Sequence, residues 1–438
     1  MREPISDNKN YNKISKNFLK YESLGMQPNI RIQWSKAKNY HVEDKFKKKY
    51  MDFTSGIFAV NIGHKNKNLI NSTTKVLRSG IAHTYTYFNQ YRENYVKNLI
   101  NFINQKKLKK CHLVSSGTEA TETALKLVRT YGQSINKKKI GIICIKGNWH
   151  GRTVGSQMLS GKNGQSKWIG YFDRNIFHVD FPYPWQFKDK RDLKSFFKKS
   201  LKKRFKTGYN FKRNITAILL ETFQGWGAVF YPKEYIQEIK SFCAKNNILL
   251  CFDEMQSGFG RTGKKFGFEH YNVSPDLICC GKGMGSGFPL SGVITSKKVM
   301  DNKLVSGLSS THSSNALVCA AGLTTLNEIK NKNLVKKSAK LGKFFHIELN
   351  KLRKKFDKII FQTLGKGLIA SIIFKNKKNI TATEIANYVS KECLLSGLLV
   401  CNTGRESIKL GPPLTIDKKG IKKAIQILDK AITKGYLL

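Results

Sequence analysis

The chain is short of several features that would place it in a special class. No stretch approaches the ~18 consecutive uncharged apolar residues of a bilayer-crossing helix. Met1-Arg2-Glu3-Pro4, followed by Asp7 and Lys9, has no apolar region of a secretory signal. A cytoplasmic protein without a membrane partner is therefore expected. Close cysteine pairs are also missing: Cys111, Cys144, Cys243, Cys251, Cys319, Cys393 and Cys401 are scattered, and only Cys279 and Cys280 adjoin. Adjacent side chains of a strand point to opposite faces, so reduced core thiols are expected, with no disulfide framework and no metal site. Acidic residues are scarce, 29 Asp and Glu against 78 Lys and Arg, for a formal net charge of +49. Such an excess attracts phosphates without any motif. The basic residues, however, run through nearly the whole chain, from Lys45 to Lys49 through Lys198 to Arg204 and Lys351 to Lys355 to Lys418 and Lys419. A nucleic-acid groove would concentrate them, so no specific nucleic-acid partner is expected. Repeats and low-complexity linkers are absent too. What remains is 438 residues, 40% hydrophobic and 11% aromatic, enough for more than one globular domain with a large core.

The first 40 or so residues are polar and read as an irregular arm. Tyr50 to Gly63 suggests a short strand and a glycine-containing loop whose polar residues face an entrance or a partner rather than a core. Apolar runs follow at Cys111 to Val114, Ile140 to Ile145, Ile215 to Leu220, Ile248 to Phe252, Leu277 to Cys280 and Gly292 to Thr295. Helical periodicity separates them, as in Ala120, Ala124, Leu125 and Val128, and in Tyr235 to Ala244. Continuous apolar strands between helices imply an α/β fold with a mostly parallel sheet covered on both faces. Past Ala320 the pattern changes. A helix through Leu326, a Lys-rich helix over Val335 to Leu352, a strand at Leu368 to Phe374 and helices at Thr381 to Leu394 and Lys418 to Ala431 read as a smaller α+β domain. Between the last two, Ile408 to Leu414 carries the turn-like Gly411-Pro412-Pro413.

Ligands collect outside the carboxyl ends of parallel strands, and Ser116-Gly117-Thr118, Glu221, Asp253 and Lys282 all stand there. Ser116-Gly117-Thr118 opens a helix, where unpaired N–H groups favour a phosphate; an ordinary helix start is the plain alternative. Asp253 ends an apolar strand, so its charge needs a partner: a protonated pyridine nitrogen, or a structural arginine such as Arg261. Lys282, fenced by Gly281 and Gly283, suits an imine-forming amine whose pKa is lowered by burial. A surface lysine is the plain alternative.

Asp253-Glu254-Met255-Gln256-Ser257-Gly258-Phe259-Gly260-Arg261-Thr262-Gly263, then Pro275-Asp276-Leu277 and Gly281-Lys282-Gly283, resembles the signature of the class III, ω-type aminotransferases. The likeness extends from Tyr50-Met51-Asp52-Phe53 to Pro412-Pro413-Leu414. It implies a pyridoxal 5'-phosphate-dependent enzyme of fold type I, with a seven-stranded sheet in the large domain. Residues 1–60 would form the arm and a segment packing with the small domain, 61–320 the large cofactor domain and 321–438 the small domain. By the same resemblance, Lys282 would hold the cofactor as an internal aldimine and then move the proton between Cα and C4'. Asp253 would bind the pyridinium nitrogen, Gln256 would lie near the phenolic oxygen, and Ser116, Gly117 and Thr118 would cradle the phosphate. Trp149 takes the place of the phenylalanine or tyrosine that stacks on the ring. Glu221 matches a glutamate that helps orient or buffer the region of Asp253. Thr311 matches the threonine that reaches the neighbouring subunit's cofactor, which implies a homodimer with shared active sites.

Two departures fall near the substrate. Where many members read Glu-Pro-x-Gln-Gly-Glu-Gly, this chain has Glu221-Thr222-Phe223-Gln224-Gly225-Trp226-Gly227, so Trp226 replaces a gating glutamate. The family's carboxylate-binding arginine is Lys409, which keeps the charge and loses the planar two-point grip. Arg405 stands four residues before it, either as an alternative carboxylate clamp or as a surface residue. A route other than γ-aminobutyrate or ornithine is expected: glutamate or alanine as amino donor, and an aldehyde, keto acid or keto sugar as acceptor. An aminomutase or a decarboxylating transaminase of the same family is the alternative within this chemistry. An inactive scaffold serving as a binding or regulatory protein is the alternative outside it.

Overall fold

Continuous apolar runs build the central sheet, because strands buried on both faces need no alternation of polar residues. The computed structural model describes residues 20–23, 25, 32–161, 164–187, 189–377 and 379–437. Seven strands, β1 (Lys110–Val114), β2 (Gly141–Ile145), β3 (Ile176–Val179), β4 (Ile215–Glu221), β5 (Leu249–Asp253), β6 (Leu277–Cys280) and β7 (Ser291–Thr295), lie in the order β1-β7-β6-β5-β4-β2-β3. Only β7 runs antiparallel to its neighbours; the other pairs are parallel. β3 was not expected. It is four residues long and carries His178 among its apolar residues, so neither length nor pattern marks it.

Helices cover both faces. On one, Ala120, Ala124, Leu127 and Val128 of α1 (Gly117–Ile135) pack on Cys144, Leu219, Cys251 and Cys279. On the other, Tyr235, Ile236 and Ile239 of α2 (Lys233–Asn246) share a core with Leu220, Phe252 and Cys280. Cys279 and Cys280 thus enter opposite layers, as period-2 geometry requires, and all nine thiols are unpaired. The helix Lys190–Arg204 also went unforeseen: its lysines hide a stripe of Leu193, Phe197 and Leu201 that is buried at four-residue spacing.

The smaller α+β domain is an antiparallel sheet of β8 (Ile360–Lys366), β9 (Ile369–Phe374), β10 (Cys401–Asn402) and β11 (Ser407–Leu410), in the order β8-β9-β11-β10. Against it lie the helices Leu334–Lys355 and Ala382–Leu395, and Lys418–Leu437 packs on these two helices. Ile408 to Leu410 lie in β11, and the turn-like Gly411-Pro412-Pro413 follows its end.

The arm expected over the first 40 residues lies largely outside the described residues; its described end, Trp34–Lys38, is a strand paired with His41–Asp44. Lys49–Asp52 pairs in parallel with Leu398–Leu399. The polar residues just beyond were expected to face an entrance, and here the expectation fails: Asp52, Ser55 and Asn61 are buried. Each has found partners. Asp52 accepts from Thr54 and from the Ser55 amide and pairs with His64 at 3.0 Å, Ser55 Oγ donates to the Gly411 carbonyl, and Asn61 accepts from Arg261 at 2.6 Å. Arg261, itself buried, also donates to the carbonyls of Leu368 and Pro412. It ties the N-terminal loop to the small domain and is not the partner of Asp253.

Candidate active site

Asp253 and Glu221 are direct neighbours across the parallel pair β5 and β4, at the carboxyl ends of both strands. Both are buried. Two carboxylates so placed raise each other's cost of ionisation, and each needs donors. For Asp253 these are His150 Nδ1 at 2.8 Å and the Met255 amide at 3.0 Å. For Glu221 they are the amides of Trp149 at 3.0 Å and Gly225 at 3.1 Å, with Gln256 Nε2 at 3.2 Å on its other oxygen. Burial nevertheless pushes the Glu221 carboxyl up to about 7; His150 opposes the rise, and the charge of Asp253 adds to it. The adjacent Glu254 is a different case: its four partners, Thr222, Ser257 and the amides of Gly267 and Phe268, make it a structural carboxylate.

Lys282 follows β6 in a left-handed conformation, φ 46°. A side chain with a Cβ is held there only where its surroundings impose it. Burial lowers the pKa of its amine, and the charges of Asp253 and Glu221 pull the other way, so the amine belongs to the same cluster. Gly281 permits the approach: a Cβ there would lie 2.5 Å from both Met255 Sδ and Ser291 Oγ.

Ser116 caps α1 in a capping box with Glu119. The first-turn N–H groups of α1 have no intrahelical partner. Thr118 Oγ1 lies 2.8 Å from both Thr153 Oγ1 and Ser156 Oγ. The loop of Trp149, His150 and Gly151 is pressed against this helix start, with Thr121 Oγ1 donating to the His150 carbonyl at 2.7 Å. A side chain at Gly151, φ 144°, would collide with Thr118. Trp149 is half-buried and stacks with Arg152 on its ring, 5.2 Å from the centroid.

The cofactor inferred from sequence fits this donor set: a buried carboxylate for a ring nitrogen, helix-start amides and hydroxyls for a phosphate, a flat aromatic and a desolvated amine. The structure brings together Lys282, Asp253, Glu221 and Gln256, and joins Trp149 to them through its amide. Thr311 stands apart, exposed in a loop whose Ser310 donates to Glu119 at 3.0 Å. Toward the small domain, Lys409 Nζ donates to Gln256 Oε1 at 2.8 Å. Trp226 is buried with its indole N–H on Gln224 at 2.6 Å, and the Arg405 guanidinium lies 3.8 Å from its ring centroid. Reading the sequence missed the part played by His150. Its side chain is fully buried with Nδ1 on Asp253. The signal at hand was its place in His150-Gly151-Arg152-Thr153, a segment of the family likeness directly after Trp149.

The family model described as aminotransferase class-III matches residues 25–432. The chain is 32% identical over 397 residues to an acetylornithine aminotransferase of Prochlorococcus marinus, covering 89% of this chain and 88% of that one. To an ornithine aminotransferase of Saccharomyces cerevisiae it is 30% identical over 426 residues, covering 94% and 96%. A solved transaminase from the marine bacterium Virgibacillus shares the fold with a TM-score of 0.87 at 24% identity, covering 97% and 99%.

A carboxyl that titrates higher in the native state than in the unfolded chain binds its proton more tightly when folded. Stability from Glu221 is therefore greatest below its ordinary value of 4.5 and declines as pH rises through about 7. Urea denaturation of the cofactor-free protein should lose about 1–3 kcal/mol between pH 5 and pH 8 relative to Glu221→Gln, measured side by side.

Proposed function

The chain belongs to the class-III aminotransferases, enzymes dependent on pyridoxal 5'-phosphate that move an amino group from an amine or amino-acid donor to a carbonyl acceptor, and we propose that it takes glutamate or alanine as donor and an aldehyde, keto acid or keto sugar as acceptor. The observation that carries the chemistry is the desolvated Lys282 amine beside two buried strand-end carboxylates. When bound, the cofactor supplies the reactive carbonyl and the electron sink. Lys282 Nζ, its pKa lowered by burial, would act as the nucleophile toward that carbonyl and would carry the proton during transfer. Asp253, oriented by His150, would hold the ring nitrogen. Trp149 would cover the ring, Gln256 would donate to the phenolic oxygen, and Ser116, Gly117 and Thr118 would receive the phosphate. Glu221 orients this group through the Trp149 amide and Gln256.

Trp226, Arg405 and Lys409 stand at the substrate end. Trp226 forms a wall held by Gln224, and Arg405 rests on that wall, paired with its neighbour Glu406 at 2.9 Å. The Lys409 ammonium is engaged by Gln256, and the exposed Arg405 would meet a substrate carboxylate by exchanging its partner Glu406. The names of the relatives favour a second reading, with ornithine or its acetyl derivative as donor.

The dimer reading rests on exposed aromatics beside the Thr311 loop. Phe88 is 99% and Tyr87 78% exposed, and Tyr85 bonds to Ser309 at 3.3 Å. Large apolar side chains so exposed mark an interface, and Thr311 at its edge would complete the phosphate site across it. The unpaired thiols suit a reducing, cytoplasmic compartment.

After addition of pyridoxal phosphate, the protein should acquire visible absorbance and a borohydride-fixed adduct on Lys282; Lys282→Ala should lose both, with transamination down by at least about a thousandfold. In a donor panel, kcat/KM for glutamate or alanine should exceed that for γ-aminobutyrate and ornithine by about tenfold or more, and fast turnover of either of the latter would overturn the donor assignment. Light scattering after size exclusion should give a dimer, whereas a fully active monomer would sink the shared site.

A further inference from the structure

Lys409 occupies the position where the resemblance leads one to expect a substrate-binding arginine, yet its ammonium is turned inward. It donates to Gln256 Oε1 at 2.8 Å and lies 4.6 Å from the centroid of the buried Phe58 ring. It is itself buried, on β11, and Ser407 on the same face of that strand donates to the Trp226 carbonyl at 3.1 Å. Gln256 in turn donates through Nε2 to Glu221 Oε1 at 3.2 Å.

An amide placed between a cation and a carboxyl has one favourable orientation. A lysine has only donors, so the carbonyl oxygen must face it and the NH2 must face the carboxyl. Were the amide reversed, Nε2 would meet the ammonium donor to donor. The fit is tight: a Cβ at Gly225 would clash with Gln256 Nε2 and come within 2.8 Å of Glu221 Oε1. Of the two protons on Nε2, one goes to Glu221 and one remains.

We propose that Lys409 is a positioning residue. It fixes the Gln256 amide so that an N–H rather than a carbonyl oxygen is left for the phenolic oxygen of the cofactor, and it does not receive the substrate's carboxylate. The proposal rests on the family reading, since it concerns the bound cofactor. It accounts for the lysine: a single point donor suits one amide oxygen, whereas a guanidinium fork is built to grip a carboxylate from two points.

The test uses the cofactor-loaded enzyme and the midpoint of the pH titration of its visible absorbance, together with KM for a keto acid and for an aldehyde lacking a carboxylate. An N–H on the phenolic oxygen favours its anionic form. Lys409→Met should therefore raise the midpoint by about one pH unit, Gln256→Leu should raise it similarly, and the double variant should show no further rise. Lys409→Arg, which keeps the charge, should fall between wild type and Lys409→Met. The ratio of keto-acid KM to aldehyde KM should stay within about twofold of wild type in Lys409→Met, since a lost carboxylate contact of about 1.4 kcal/mol would change it tenfold. An equal midpoint shift by Lys409→Met in the Gln256→Leu background would mean that its charge acts without the amide and would overturn the proposal. A tenfold rise in the KM ratio would make Lys409 a carboxylate receptor and overturn it equally. A loaded enzyme with no visible absorbance would strike the family reading first and this proposal with it.

Discussion

Asp253 and Glu221 meet at the dry ends of two hydrogen-bonded parallel strands, and the electrostatic problem this creates organises what surrounds them. A lone buried carboxylate is costly and a neighbouring pair is worse. Asp253 has the His150 ring and an amide; Glu221 has two amides and the Gln256 side chain, and its carboxyl still titrates near 7. A desolvated amine, Lys282, completes the cluster. The same bonds position the loop of Trp149 and His150, the Gly225 turn and, through Gln256, Lys409 of the smaller domain. Burial thus moves the Glu221 carboxyl up and the Lys282 amine down, within one cluster.

The domains are joined by equally specific polar contacts. Arg261, from the signature segment after β5, is buried among carbonyls of Leu368 and Pro412 and the side chain of Asn61. Burial pulls its pKa down to about 9, so the cation is retained at neutral pH and held by oxygen acceptors. Lys409 and Ser407 reach from β11 to Gln256 and the Trp226 carbonyl. The region around Gln256 and Trp226 therefore depends on how the small domain seats against the large one. There the Trp226 indole carries the Arg405 guanidinium on its face.

Much of this was legible before the fold was known. The apolar runs at Ile215 to Leu220 and Ile248 to Phe252 announce buried parallel strands because no polar residue interrupts them, and polar residues directly after such runs must stand at strand ends. The helix start at Ser116 carries its own capping signal, Glu119 three residues on. What escaped was the short edge strand around His178 and the lysine-covered helix Lys190–Arg204, where composition masks periodicity. The polar loop beyond Asp52 was misread because its partners, Gly411 and Arg261, lie 200 residues and more away along the chain.

The order of residues was sufficient to establish the layers of the large domain, the strand-end positions of Asp253, Glu221 and Lys282, and the reaction class, because these follow from local periodicity and from the signature segments between Asp253 and Gly283. Only the tertiary structure decided that His150 and not Arg261 holds Asp253, that Glu221 titrates near 7, and that the charge of Lys409 is directed at Gln256. Those outcomes turn on distances of about 3 Å between residues far apart in sequence, at which hydrogen bonds and desolvation act and over which local pattern has no reach.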